Sequence, residues 1–596
     1  MATRNSDPTI VPESQRTVCN PVDLPYRYQQ ISMPGKPLSV HREGADPTVL
    51  LFKERYYMFI SMSRGFFHST DLVNWSYQPT EKLPPLDYAP DARVIDGAIY
   101  ITASRVRKNC PFFRSEDPLT DDFVEVTPGS FPFFDPNLFQ DDDGSVYLYR
   151  GCSNRSPIRG VQLEKSSLAK VGAEKDLIVS DTKHRGWERT GENYVRTPPK
   201  GVVSRLFYSL IGPDPFIEGS WMTKHDGTYY LQYAAPATET NSYADGYFTA
   251  QAPLGPFEYS PHSPFSSKPG GFMTGAGHGS TFQDHYGNWW HVGTMRVSIN
   301  HMFERRVGLF PAGFDEEGVL FCNQTFADYP MVIPTGAFDP WKDTFAGWML
   351  LSLNKPVTAS SAIPGHPATL AVDENARTWW VAENTGKEQW LTIDLGETFR
   401  VAAVQINHAD HKLADSVTEP IPMSWSTGAK RAIFSEHTPA TVRIETSIDG
   451  DSWHILDDPK GSERDAPHRF VVTDSPREAR YVRVTGVSTP WNSSMALSGV
   501  RVFGTVQGQP PAAVKPQAKR VDELTAEVTW SPADGAHGYT VRYGLTPEKL
   551  YHSWQVYGQN DLRLPTLNAG VEYWVAVDSF GETGVTKGEP VPVVRA

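Results

Sequence analysis

Long apolar runs are missing from this chain of 596 residues. No stretch approaches the roughly 18–20 residues that a helical membrane span needs, so no membrane span is expected. Positive charge is in deficit, with 55 Lys and Arg against 69 Asp and Glu, and it forms no cluster. Nucleic acid and anionic membrane surfaces are therefore not expected as partners. Helical periodicity is scarce. Cysteine is rarer still: Cys19, Cys110, Cys152 and Cys322 are all there is, and their spacing fits no metal motif. Four reduced, buried thiols are expected, with a Cys19–Cys322 bridge as the alternative. Residues 1–7 lack the apolar centre of a signal peptide. That leaves two expectations open: a cytosolic protein, or an exported one whose signal is not in this sequence.

Gly (47) and Pro (49), by contrast, are abundant, and aromatics reach 12%, a composition that favours many short strands joined by turns. One short hairpin recurs five times within the first 300 residues: Lys53-Glu54-Arg55-Tyr56-Tyr57, Asp96-Gly97-Ala98-Ile99-Tyr100, Asp143-Gly144-Ser145-Val146-Tyr147, Asp226-Gly227-Thr228-Tyr229-Tyr230 and Tyr286-Gly287-Asn288-Trp289-Trp290. Four are glycine turns running into an aromatic strand. A sheet unit repeating every 45–60 residues or so reads as a propeller blade. About ten residues before the copies stand Asp46, Asp91, Asp135, Glu218 and His278. If the first strand of each blade lines the central channel, these side chains ring one mouth. Asp46, Asp135 and Glu218 each sit among hydrophobes, which is costly for an acid unless it meets water or a partner.

The chain reads as all-β: a five-bladed β-propeller followed by two β-sandwich domains. The propeller and its lead-in take residues 1–330, a connector 331–352, a first sandwich 353–505, and a Pro-rich linker with a second sandwich 506–596. A polar insertion at 183–193 is expected to form a rim loop over the mouth. Trp187 within it and Trp221 are candidate sugar platforms, since apolar sugar faces stack on indole.

Residues 30–325 resemble glycoside hydrolase family 43, of the arabinanase and xylosidase type. The resemblance rests on Ala45-Asp46-Pro47, Ser69-Thr70-Asp71-Leu72-Val73-Asn74-Trp75, Ala89-Pro90-Asp91, Phe134-Asp135-Pro136, Ile217-Glu218-Gly219-Ser220-Trp221 and Gly277-His278-Gly279-Ser280. It implies Asp46 as general base, Glu218 as general acid, and Asp135 as the group that orients the acid and raises its pKa. It places His278 at the channel centre, beside a water network or a bound cation. It also implies a basic residue near the base; Arg306, Arg305 and Arg296 compete for that place. Asp91 could contact substrate or merely close a strand. Residues 353–505 resemble the discoidin, or factor 5/8 type C, domain on Asn354-Lys355-Pro356, Asp373 to Trp380 and Gln389 to Gly396. Asp373 and Thr378 would belong to a structural Ca²⁺ site there, weakened because Gly499 stands where the pattern usually has Glu. The last 80 or so residues resemble a fibronectin type III sandwich on Val528-Thr529-Trp530 and Tyr573-Trp574-Val575.

The resemblance implies an inverting exo-glycosidase, and the expectation is a monomer acting on poly- or oligosaccharide with no cofactor required. α-L-Arabinofuranoside is the first substrate, with β-D-galactofuranoside and β-D-xyloside behind it. A catalytically inactive sugar-binding propeller is the competing reading, and an adhesion or scaffold protein a third.

Overall fold

The computed structural model describes residues 16–595 apart from 34, 85–87, 106–107, 198–213, 386–387, 418–420, 427–428, 437 and 461–463. Most of the lead-in, residues 1–15, thus lies outside the described residues.

Five antiparallel sheets follow one another between residues 48 and 322. Blade one is Thr48–Phe52, Arg55–Phe59, Gly65–Ser69 and Ser76–Pro79. Blade two is Asp91–Ile95, Ala98–Thr102, Phe112–Ser115 and Val124–Thr127. Blade three is Asn137–Gln140, Val146–Arg150, Ile158–Leu163 and Lys170–Ile178. Blade four runs Glu218–His225, Thr228–Ala235, Ala244–Ala250 and Glu258–Tyr259, and blade five Thr274–Gln283, Trp289–Arg296, Arg305–Phe314 and Leu320–Cys322. The five repeated hairpins are the turns between first and second strands. Lys53 and Glu54, Asp96 and Gly97, and Asp226 and Gly227 all have positive φ, the twist a two-residue hairpin turn needs. First strands pack against one another in blade order, and blade five packs against blade one. That closes a five-bladed ring around a channel.

What locks the ring is a strand pair, not a disulfide. Thr17–Val18 pairs antiparallel with Met331–Val332, while all four cysteines are free. The expected alternative of a Cys19–Cys322 bridge therefore falls. Cys19 instead donates to the carbonyl of Asp328 at 3.1 Å.

The next domain is one eight-stranded sheet built on two 19-residue strands, Trp390–His408 and Phe470–Ser488. Breaks in their register at 394–399 and 401–403 bend them around a core that includes Trp380, Leu391, Ile406, Val482 and Val502. The sheet reaches back to Met349–Leu350, which pairs with Gly504 and Phe503. The C-terminal sandwich has a four-stranded and a five-stranded sheet over Val528, Trp530, Val541, Val575 and Val577.

A sixth four-stranded sheet joins the propeller to the first sandwich. The hairpin Arg27–Ser32 and Ser39–Glu43 is extended by Ala429–Ile433 and Ser424–Ser426, with Gln29 opposite Ile433. Arg42, fully buried between these parts, is bound by Asp465 through two 2.8 Å contacts and by Asp410.

The 183–193 insertion is not a solvent-facing rim loop along its whole length. Its first half is wedged between blade four and the last sandwich: the Gly186 amide donates to the Leu567 carbonyl at 2.9 Å, and buried Glu188 pairs with Arg185 at 3.0 Å and with Tyr233. Only Glu192 reaches the mouth, where it holds Arg296 at 2.6 and 3.0 Å.

Candidate active site

Each blade has one left-handed residue just before its first strand or within it, the latter at a break in register: Asp46 (φ 52°), Ala89 (52°), Asp135 (47°), Gly219 (57°) and His278 (46°). Left-handed backbone costs a residue with a Cβ roughly 1–2 kcal/mol. The tight corner turns the side chains of Asp46, Asp135 and His278 together at the mouth. In blade four the corner must be glycine, because a Cβ on Gly219 would lie 2.5 Å from the His278 ring. The preceding residue, Glu218, supplies the carboxylate instead. Asp91 is not in this ring. Its blade's corner is Ala89, and Asp91 sits one step further in, level with Thr48 and Asn137. There it accepts hydrogen bonds from Asn137 Nδ2 at 3.0 Å and from the Leu138 amide at 2.6 Å. Burial pushes Asp91 up to about 6, against the pull of Arg93.

Asp46 is 4% exposed. Its Oδ2 accepts from Ser61 Oγ at 2.6 Å, and Arg305 Nη1 and His278 Nδ1 lie 3.3 and 3.4 Å from Oδ1. Burial alone would raise its pKa, but the Arg305 guanidinium, His278 and the Ser61 hydroxyl outweigh burial and hold it below the ordinary carboxylate value. Arg305 is anchored in turn by Glu43 at 2.6 Å. The basic partner is therefore Arg305, and Arg306 does not touch the site. Strand alternation turns it to the other face, where Nε meets His468 Nε2 at 2.8 Å and Nη1 donates to the Arg42 carbonyl at 2.8 Å.

Across the mouth, Asp135, Cys152 and Glu218 bring their donor atoms within 4.8 Å of one another. Glu218 is held at both oxygens: Tyr243 Oη donates to Oε1 at 2.6 Å and Cys152 Sγ to Oε2 at 3.1 Å. Burial, then the charges of Asp135 and Glu218, keep the Cys152 thiol far from ionising, so it remains a neutral donor. Asp135 accepts from Ser104 Oγ at 3.3 Å. Burial first, then the negative charges of Glu218 and Asp46, push it up to about 7 despite His278. His278 stands between the two groups, its Nδ1 4.0 Å from Asp135 Oδ2. Burial disfavours its charge, but Asp46, Asp135, Glu218 and Asp245 raise its pKa above the usual imidazole value. A small hollow of about 10 Å³ is walled by Asp46, Asp91, Trp221 and His278.

Neither tryptophan is an open platform. Trp187 is 0% exposed, donates to Tyr259 Oη at 2.8 Å and packs on Tyr233. Trp221, 3% exposed, is capped by the Arg93 guanidinium at 3.7 Å and serves as channel wall. In the first sandwich, Thr378 Oγ1 donates to Asp373 Oδ2 at 2.7 Å, and the Asn375 amide approaches Oδ1 at 3.2 Å. A Cβ on Gly499 would meet Phe272 at 2.8 Å. Ca²⁺ takes six to eight oxygens, to which Asp373 and Thr378 would contribute their side-chain ones.

Sequence reasoning left out Tyr243, Cys152, Ser61 and Ser104. Ser61 and Ser104 carried a signal, since each follows the second strand of its blade at the same step.

A carboxylate held below its ordinary value on one side of the mouth, and on the other a carboxyl pair whose Asp135 is raised to about 7, suit proton transfer at a glycosidic oxygen. Fold and site together define a propeller glycoside hydrolase. Residues 37–320 match the model of Glycosyl hydrolases family 43, and this region is a domain of that family; residues 356–419 match the F5/8 type C domain. Among similar proteins, a β-D-galactofuranosidase of Aspergillus niger is 25% identical over 283 residues, 41% of this chain and 72% of its own length. An arabinoxylan arabinofuranohydrolase of Bacillus subtilis is 25% identical over 298 residues, 40% of this chain and 52% of its own. A β-xylosidase of Xylanibacter ruminicola is 32% identical over 162 residues, 25% and 44% of the two chains. A solved structure described as a glycoside hydrolase aligns with a TM-score of 0.44 at 16% identity, covering 77% of this chain and 97% of its own.

Proposed function

We propose that the protein removes terminal α-L-arabinofuranosyl units from plant-type poly- or oligosaccharides, with inversion at the anomeric carbon. The observation that carries this reading is the opposite treatment of the carboxylates on the two sides of the mouth: Arg305 holds Asp46 below its ordinary value, while Asp135, beside Glu218, is raised to about 7. Asp46 takes a proton from water as its oxygen attacks the anomeric carbon. Glu218, steadied by Tyr243 and Cys152, gives a proton to the leaving oxygen, and Asp135 keeps that proton within the pair. His278 offsets charge between base and pair. No step uses a metal or cofactor. The last sandwich acts as a fibronectin type III spacer, and the protein works as a monomer.

A second reading, β-D-galactofuranoside as substrate, is favoured by the Aspergillus niger relative, 72% of whose length is matched. A panel of p-nitrophenyl α-L-arabinofuranoside, β-D-galactofuranoside and β-D-xyloside decides among the sugars. NMR of the first-formed product tests the stereochemistry. Net retention would make Asp46 a nucleophile about 5 Å from the acid and overturn the mechanism, and no turnover of any glycoside would favour a sugar-binding propeller.

A further inference from the structure

A half-open hollow of about 400 Å³ is lined by three separate pieces of chain. The N-terminal hairpin contributes Met33, Lys36 and Leu38, the blade-five loop His301 and Met302, and the first sandwich Lys412. Leu38 and Met302 are 40% and 38% exposed, which gives the hollow apolar walls. His301 stacks on His41 at 5.1 Å and is held neutral, its pKa lowered to about 4 by burial and then by the charge of Arg305. The positive charge that remains sits on Lys36 and Lys412, both exposed and with no carboxylate in ion-pair contact among the described residues. In a chain of net charge −14, a two-lysine hollow is a local reversal of sign.

One strand joins this hollow to the carboxylates. Ser39 and Val40 line the hollow. At the other end of Ser39–Glu43, Glu43 binds Arg305, which reaches Asp46. Four residues of strand span about 13 Å. Apolar walls with a few polar groups suit sugar rings, and two unpaired ammonium groups suit a carboxylate among them.

We propose that this hollow is a remote subsite for a uronic-acid residue of the glycan that lies across the mouth, so that the enzyme trims furanosyl branches from acidic rather than neutral polysaccharide. The proposal rests on the glycosidase reading, and its test separates the two. kcat/KM is measured for a p-nitrophenyl glycoside, for a neutral branched oligosaccharide, and for one of equal length bearing galacturonate. The acidic substrate is expected to lead the neutral one by about tenfold at low salt, as two exposed ion pairs would give. That lead should shrink as salt rises and vanish in the double variant Lys36→Gln, Lys412→Gln, with the p-nitrophenyl rate unchanged. Equal rates on the two oligosaccharides, or an acidic preference that survives the double substitution, would overturn it. If no glycoside is cleaved, the reading of the active site fails instead. Calorimetric titration of the full chain with tetragalacturonate against xylotetraose then decides the subsite, with binding of the acidic oligomer lost in the double variant expected, and no difference between the oligomers overturning it.

Discussion

Asp46, Asp135 and Glu218 could be singled out in the sequence because each opens a strand where an acid has no reason to be. Their partners could not. Arg305 and Arg306 are adjacent, and only the register of their strand says which one turns inward; Trp187 looked like a platform because its segment is polar, yet its ring lies in the core. Three outcomes belong to this scale. Asp46→Asn or Glu218→Gln should lower kcat/KM by about 10²–10⁴-fold, the usual worth of one proton transfer, with circular dichroism unchanged. Arg305→Met removes the main charge holding Asp46 down, so the acidic limb of the kcat/KM profile should move to higher pH. Asp135→Asn should move the basic limb of the kcat profile to lower pH, since it removes the like charge that Asp135 can place beside the acid. It should also change stability. A carboxyl raised to about 7 holds its proton in the folded chain at pH values where the unfolded chain has released it. Stability therefore falls as pH rises from about 4 to 7. Asp135→Asn removes that loss, so the gap between melting temperatures at pH 5 and pH 8 should narrow.

At the scale of elements, the blades were readable because every hairpin carries its own turn chemistry within five residues. The five left-handed corners were not, because a backbone angle leaves no mark when the residue is Ala or His. Gly219 shows the constraint most sharply, with positive φ and a ring 2.5 Å from any Cβ. Gly219→Ala should cost about 1–3 kcal/mol in denaturant unfolding. Because it displaces His278, it should lower kcat more than it raises KM. The sheet that joins Arg27–Ser32 to Ala429–Ile433 was also invisible, since its two halves lie some 400 residues apart in the chain and neither predicts the other.

Across the whole molecule, the boundary between propeller and first sandwich is a shared core rather than a hinge. Arg42, Asp410 and Asp465 form a buried charge cluster between them, and Arg501 of the sandwich donates to the Asp328 carbonyl at 2.6 Å. Arg42→Met would remove the cation that both buried carboxylates bind directly, leaving Asp410 the more distant Arg306 at 3.9 Å, and should cost about 3–5 kcal/mol. Calorimetry should show the propeller and first sandwich melting in one transition that moves down together. A propeller cut after residue 340 should be recovered insoluble, because its N-terminal hairpin then ends in a bare edge.

The same shared sheet sets a timetable for biosynthesis. The strand Arg27–Ser32 leaves the ribosome about 400 residues before Ala429–Ile433, its partner along one edge. At roughly 5–20 residues per second that is a wait of about 20–80 s. For the last quarter or so of that wait, after Met331–Val332 has paired with Thr17–Val18, a nascent chain whose propeller can already close still presents one open strand to its neighbours. The mouth of the enzyme is thus assembled late, by residues translated long after the carboxylates they flank.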